Sequence, residues 1–224
     1  KETVDTFSIT LTQPANGIIT LKKVESQGGS NIETDIEEGT LGAILKHTNI
    51  KVELKARDKQ KHVPSKLKIN NDEYTTVRDD AIVHYFTIEK NTTIDGEIKA
   101  FFKITKNNVE NGAIIVSRDH SGTLVNLLPQ ELEKVIEGKE LTITLSANAA
   151  YLPKSLSIKK KEASVPEVIT QVGKNGKISK KIVVDDDITL SGIVAPDPNA
   201  QPLAKFKVTV DGVEFNMINI PATT

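Results

Sequence analysis

Ser117, Asp119 and His120 fall within one stretch, SRDHSGT (Ser117–Thr123), and hydroxyl, carboxylate and imidazole are the parts of a hydrolytic triad. A triad needs those groups to converge from separate segments, so that the imidazole bridges acid and nucleophile. Neighbours on one loop are not so placed, and the stretch reads as a loop. Asp185, Asp186 and Asp187 in VDDDI, with APDPN close behind, offer oxygens to Ca²⁺, which takes about six to eight at ordered spacing. The alternating Asp-x-Asp-x-Asp-Gly pattern is missing, so the run reads as a solvated turn before a strand. His47, His62, His84 and His120 show neither His-x-x-x-His nor His-Glu-x-x-His spacing for zinc. Gly28-Gly29-Ser30-Asn31 lacks the Lys-Ser/Thr and following helix of a phosphate cradle. With no cysteine in 224 residues, disulfides, thiol nucleophiles and Cys-ligated metals are excluded. The expectation is a protein without catalytic residues, metal or cofactor, and not an enzyme.

The one unusual chemical feature is basic. Lys51, Lys55, Arg57, Lys59 and Lys61 point largely to one face of their segment, and Lys66 and Lys68 follow on the next. Such a stripe is a binding patch for an acidic glycan or another polyanion, or it is edge protection, because lysines on an exposed strand discourage sheet-to-sheet aggregation. Lys159, Lys160 and Lys161 suit the same protective purpose.

The composition is that of a globular chain, with 38% hydrophobic and 26% charged residues. Aromatics reach only 4% and Trp is absent, so the core is filled by branched aliphatics, which suit pleated surfaces. A formal net charge of −1 provides no overall field for nucleic acid. No stretch approaches the roughly 20 apolar residues of a membrane span. A chain that opens at Lys1 reads as processed, which leaves a signal segment or lipid anchor upstream open.

What must position these residues is a repeated element. FSITLTQPANGIITL (Phe7–Leu21) and FKITKNNVENGAIIV (Phe102–Val116) share an aromatic, an Ile-Thr strand, a polar turn ending in Asn-Gly and a β-branched run. Thr40–Leu54 then matches Glu131–Leu145, Pro64–Ile69 matches Pro153–Ile158, and Phe86–Ile98 matches Ile182–Val194, always in the same order. The period is mostly two: Ile50, Val52, Leu54 and Ala56 alternate with Lys51, Glu53, Lys55 and Arg57, the pattern of a half-buried strand. Asn16-Gly17 and Asn111-Gly112 predict a hairpin at the start of each module. Leu41, Ile44 and Leu45, like Leu132, Val135 and Ile136, keep an i, i+3, i+4 spacing that fits one helical turn or an extended segment; Pro129 favours a helix start in the second copy.

The expected architecture is all-β, with at most a short helical turn per module: residues 1–100 as one module, 101–196 as a second, and 197–224 as a Pro-rich linker and C-terminal hairpin around Asp211-Gly212, or a truncated third repeat. ITLTQPANGIITL, EKVIEGKELTITLSANAAYLPKSLSI and IVVDDDITLSGIV, taken in order, resemble the internalin-type B-repeat, or bacterial repeat, domains of secreted and surface-anchored bacterial proteins. Gly138–Leu145 matches that pattern's Gly-Thr-x-Val-Thr-Val block, and Tyr151, Leu156 and Ile158 its aromatic-Leu segment. Asp187–Leu190, and Asn91, Thr93 and Ile94 in the first copy, match its closing strand, while His47-Thr48 and His62 depart from it. The resemblance implies small β-grasp-like or sandwich-like modules in tandem, used as stalk or adhesive units on the outer surface of a Gram-negative bacterium. It carries no catalytic residues. The implied partners are a host or matrix protein or an acidic glycan, and the competing reading is a carbohydrate- or polyanion-binding module of a glycan-uptake system, for which Tyr74, Tyr85 and Tyr151 are the available tyrosines.

Overall fold

A computed structural model describes residues 5–200 throughout, and beyond them the backbone of two further strands. The first repeat contributes β1 (Thr6–Phe7), β2 (Ile9–Leu11), β3 (Gly17–Gln27), β4 (Ser30–Asp35), β5 (Ile44–Leu45), β6 (Asn49–Ala56), β7 (His62–Ile69), β8 (Asp72–Tyr74), β9 (Ala81–Thr87) and β10 (Thr92–Phe102). The second contributes β11 (Ile104–Lys106), β12 (Gly112–His120), β13 (Thr123–Asn126), the short helix α1 (Pro129–Leu132), β14 (Val135–Ile136), β15 (Glu140–Ala147), β16 (Tyr151–Lys160), β17 (Glu167–Ile169), β18 (Ile178–Val183) and β19 (Ile188–Pro196). β20 (Phe206–Val210) and β21 (Val213–Met217) pair antiparallel, Val210 opposite Val213, as the Asp-Gly signal predicts; Asp211 and Gly212 themselves lie outside the described residues. The class is all-β.

Each repeat builds the same two sheets. In the first, β4-β3-β6-β9 is antiparallel, and β10-β7-β8 is antiparallel with β2 added parallel to β10. In the second, β13-β12-β15-β18 corresponds to the former sheet and β11-β19-β16-β17 to the latter, again with a parallel first strand. Ile50, Val52 and Leu54 of β6 are fully buried, and they share one core with Leu67 and Ile69 of β7 and Ile94 of β10. That core draws on both sheets, so the module is a sandwich. Ile143 and Leu145 of β15, with Leu156 of β16 and Leu190 of β19, are buried in the second repeat at the matching positions. Of the two expected architectures the sandwich forms, since a grasp fold lays a helix across one sheet and the described helices span only a turn.

Two local expectations are corrected. The Asn-Gly turns do not close hairpins: β2 pairs with β10, whereas β3 pairs with β4 and β6, so the turn carries the chain from one sheet to the other. Asn16 (φ 60°) and Asn111 (φ 56°) supply the left-handed bend, and the following glycine answers a packing need. A Cβ on Gly17 would stand 2.5 Å from Ile98 Cγ1, and one on Gly112 2.8 Å from Val194 Cγ2. Hairpins form instead one strand later, at β3–β4 and β12–β13, each closed by two residues of positive φ, Gly28-Gly29 and Ser121-Gly122, the backbone that matches strand twist. The i, i+3, i+4 motif is split. A 3-10 turn (Glu38–Thr40) or α1 leads to the first apolar residue, and the remaining two form the short strands β5 and β14.

The chain divides into two compact units. One holds residues 1–103, 129–139 and 183–187, and the other holds 104–128, 140–182 and 188–224. In the first unit Phe101 and Phe102 at the end of β10 pair with Ile136 and Val135 of β14, as Thr6 and Phe7 of β1 pair with Leu45 and Ile44 of β5.

Candidate functional site

The basic residues do not form one face. Lys51 and Lys55 project outward from β6, Lys66 and Lys68 sit on β7 of the opposite sheet, and Arg57, Lys59 and Lys61 lie in the β6–β7 turn, because the strand ends at Ala56. Most of these cations are already engaged. Lys51 Nζ donates to both Glu33 oxygens at 2.9 and 3.0 Å, and Lys22 approaches the same carboxylate at 3.4 Å. The hydrogen bond to Glu33 raises the Lys51 pKa against the opposing pull of burial, and the same bond lowers that of Glu33. Lys55 pairs with Glu53 at 3.0 Å, Lys59 with Asp80 at 3.5 Å, Lys61 with Asp58 at 3.8 Å and Lys66 with Glu73 at 3.1 Å. Arg57 Nε donates to the Gly17 carbonyl at 2.9 Å, tying the turn to the start of β3. Exposed pairs of this kind are worth roughly 0–1 kcal/mol each, but they neutralise the stripe locally.

The triad-like stretch is the β12–β13 hairpin. Ser117 is buried and donates its hydroxyl to Asn126 Oδ1 at 2.8 Å, while Asp119 accepts the Gly122 amide at 2.8 Å. Serine and aspartate are thus spent on turn structure. In VDDDI, Asp187 accepts the Lys103 amide at 2.8 Å, and Asn91 takes the Ser8 amide at 3.0 Å in the same place in the first repeat. No group of three His, Asp or Glu that could hold a metal ion occurs among the described residues.

A different constellation appears where β8 and β9, edge strands of the two sheets, face each other. Tyr74 on β8 and His84 on β9 stack with ring centroids 3.7 Å apart and planes 25° from parallel. Burial lowers the His84 pKa, with Asp72 opposing, so the ring is neutral near pH 7. Beside the stack runs an open groove of about 500 Å³, into which Tyr74, Arg78, Val83 and Tyr85 contribute lining. Tyr85 is 55% exposed, and Lys51 Nζ lies 5.9 Å from its ring centroid. The second repeat has a groove in the same position, about 820 Å³, lined by residues such as Val168, Ile169, Lys174 and Lys177. There Ile169 takes the place of Tyr74, and Lys180, bridged to Glu167 at 2.7 Å, takes the place of His84. Sequence reading missed the pair because Tyr74 and His84 belong to different sheets and follow no periodic pattern; the signal that could have found them is their replacement by Ile and Lys in an otherwise matched repeat.

Taken together, fold and surface define a tandem pair of β-sandwiches, the first of which carries an aromatic groove. Comparison of the chain with protein-family models, with curated proteins and with solved structures finds no match in any of the three.

Proposed function

We propose that the chain is a non-catalytic pair of modules from a bacterial surface protein, working outside the cytoplasm by spacing and surface contact. The observation that carries this reading is the repetition of one sandwich, strand for strand and register for register, with β10 ending at Phe102 and β11 beginning at Ile104. Like modules that follow one another in the chain with so short a join suit a stalk, whose task is length and stiffness. The resemblance to bacterial repeat domains supports the outer surface of a Gram-negative cell as its place, held by an anchor outside these residues. A host or matrix protein is the partner class. The local pairing of Lys51, Lys55, Lys59, Lys61 and Lys66 with carboxylates weighs against an acidic glycan on the basic stripe.

The test is protease shaving of intact cells carrying the epitope-tagged full-length protein. Cleavage of the tag-linked chain before lysis is expected; protection until the envelope is broken rejects the surface reading. A second reading, a carbohydrate-binding module, is favoured by the exposed Tyr85 ring.

A further inference from the structure

We propose that the groove between β8 and β9 of the first repeat binds a neutral glycan, with a pyranose ring seated against Tyr85 and its hydroxyls read by Arg78 and Glu73. This goes beyond the stalk reading, which stands or falls separately.

Three observations converge. The first is the lining. A pyranose has an apolar C–H face and a rim of hydroxyls that both donate and accept, so its site combines an aromatic or aliphatic surface with a few placed polar groups. Tyr85 and Val83 alternate on the outward face of β9, 55% and 37% exposed, and provide such a surface. Glu73, Thr75 and Arg78 stand at its edge. The second is the state of Arg78. Its backbone is pinned by reciprocal hydrogen bonds with Ala81, N to O at 2.8 Å and back at 3.0 Å, around a turn in which Asp79 and Asp80 take positive φ. Its guanidinium, in contrast, pairs with no carboxylate among the described residues, leaving a planar fork of donors at the groove's edge. Glu73 is held by Lys66 at 3.1 Å with acceptor capacity to spare. One carboxylate and one guanidinium at the same rim favour a hydroxyl ligand over an ion of either sign.

The third observation is the internal control. Both repeats leave the same edge strands unpaired, so an extended peptide added to an edge would find equal footing in each. Only the first repeat places aromatic rings there. Lys181 stands where Tyr85 does, and Ile169 where Tyr74 does, although both modules fold alike. The sandwich therefore does not require the two tyrosines, and the difference between the modules is a difference in what the groove can hold.

Affinity electrophoresis of the full chain in native gels tests this, with mixed-linkage β-glucan, galactomannan, xyloglucan and dextran as neutral probes and polygalacturonate as the acidic one. Retardation by at least one neutral polysaccharide is expected, reduced at least 10-fold in the Tyr85→Ser and Arg78→Ala variants and unchanged in Lys181→Ser. Tyr85 and Arg78 are exposed, so both variants fold; an unchanged melting temperature verifies it. With no Trp in the chain, quenching of tyrosine fluorescence by the retained polymer gives an independent reading. Absence of retardation by every neutral probe, retardation by polygalacturonate alone, or retardation that survives both variants each overturns the proposal. None of these outcomes touches the shaving experiment.

Discussion

Gly96 on β10 lies directly against Leu54 on β6, so that a Cβ at Gly96 would meet both Leu54 methyl groups at 3.0 Å. The second repeat holds the same pair more tightly: a Cβ at Gly192 would stand 2.7 and 3.1 Å from the methyls of Leu145. In each module the leucine of one sheet fills the space that a side chain on the other would need.

This relationship sets an order of mutational cost. Forcing a methyl into a packed core costs about 1–3 kcal/mol. Gly192→Ala is expected at the upper end of that range and Gly96→Ala at the lower. Gly39→Ala, which meets open space at ordinary φ, is the neutral control. Thermal unfolding of the three variants measures the order, and equal melting temperatures for all of them would contradict close packing at the leucines.

The bond between Glu33 and Lys51 predicts a pH signature. The Glu33 pKa is held below its ordinary 4.5 chiefly by the Lys51 hydrogen bond, so its stabilisation is present above 4.5 and is lost as pH falls through the lowered value. Lys51, raised above 10.5 by the same bond, adds stability present below 10.5 and lost as pH climbs through the raised value. Glu33→Gln should therefore be less stable than the natural chain at neutral pH, with the gap closing on strong acidification. Denaturant midpoints measured across pH 2–7 check this; a gap that stays constant to the acid end is the contrary result.

His84 is shifted in the same direction as Glu33, in a higher pH window. Burial lowers its pKa from 6.5, so the unfolded chain binds the proton more readily and stability declines as pH falls from above 6.5 through the lowered value. His84→Phe keeps a ring to stack on Tyr74 and removes the proton. The variant should lose the step in stability below pH 6.5 while retaining most of the stability at pH 8. Chemical denaturation at pH 8, 6.5 and 5 reads both quantities, and an unchanged step assigns the titration elsewhere.

Within the basic stripe, partner type decides the effect. Arg57→Ala removes the partly buried bond to the Gly17 carbonyl and should cost about 1–2 kcal/mol. Lys55→Ala removes only an exposed pair with Glu53 and should cost no more than about 0.5 kcal/mol. Equilibrium unfolding of the two single variants separates them, and a larger loss at Lys55 would reverse the assignment.

Much of the architecture was legible because it is local. Alternation at Ile50, Val52 and Leu54 names the buried face of β6 wherever that strand lies, since successive side chains point to opposite sides of any sheet. The repeat announced two equivalent modules, whereas SRDHSGT, read as a loop, is the end of β12 and the turn into β13, with only Ser121 and Gly122 outside the strands. Asn16-Gly17 misled for an equally physical reason. Positive φ bends the chain back whether the next strand pairs with the last or crosses to the facing sheet, and only the tertiary packing of Ile98 against Gly17 distinguishes the two. The lysine stripe was a regular pattern in one dimension. The sandwich divided it between two sheets and a turn, and it brought Glu33, Asp80 and Glu73 to Lys51, Lys59 and Lys66 from other segments. The groove of Tyr74, Arg78 and Tyr85 belongs wholly to the tertiary structure. It is formed by edges of two different sheets, and no periodicity along the chain records which edges will face each other.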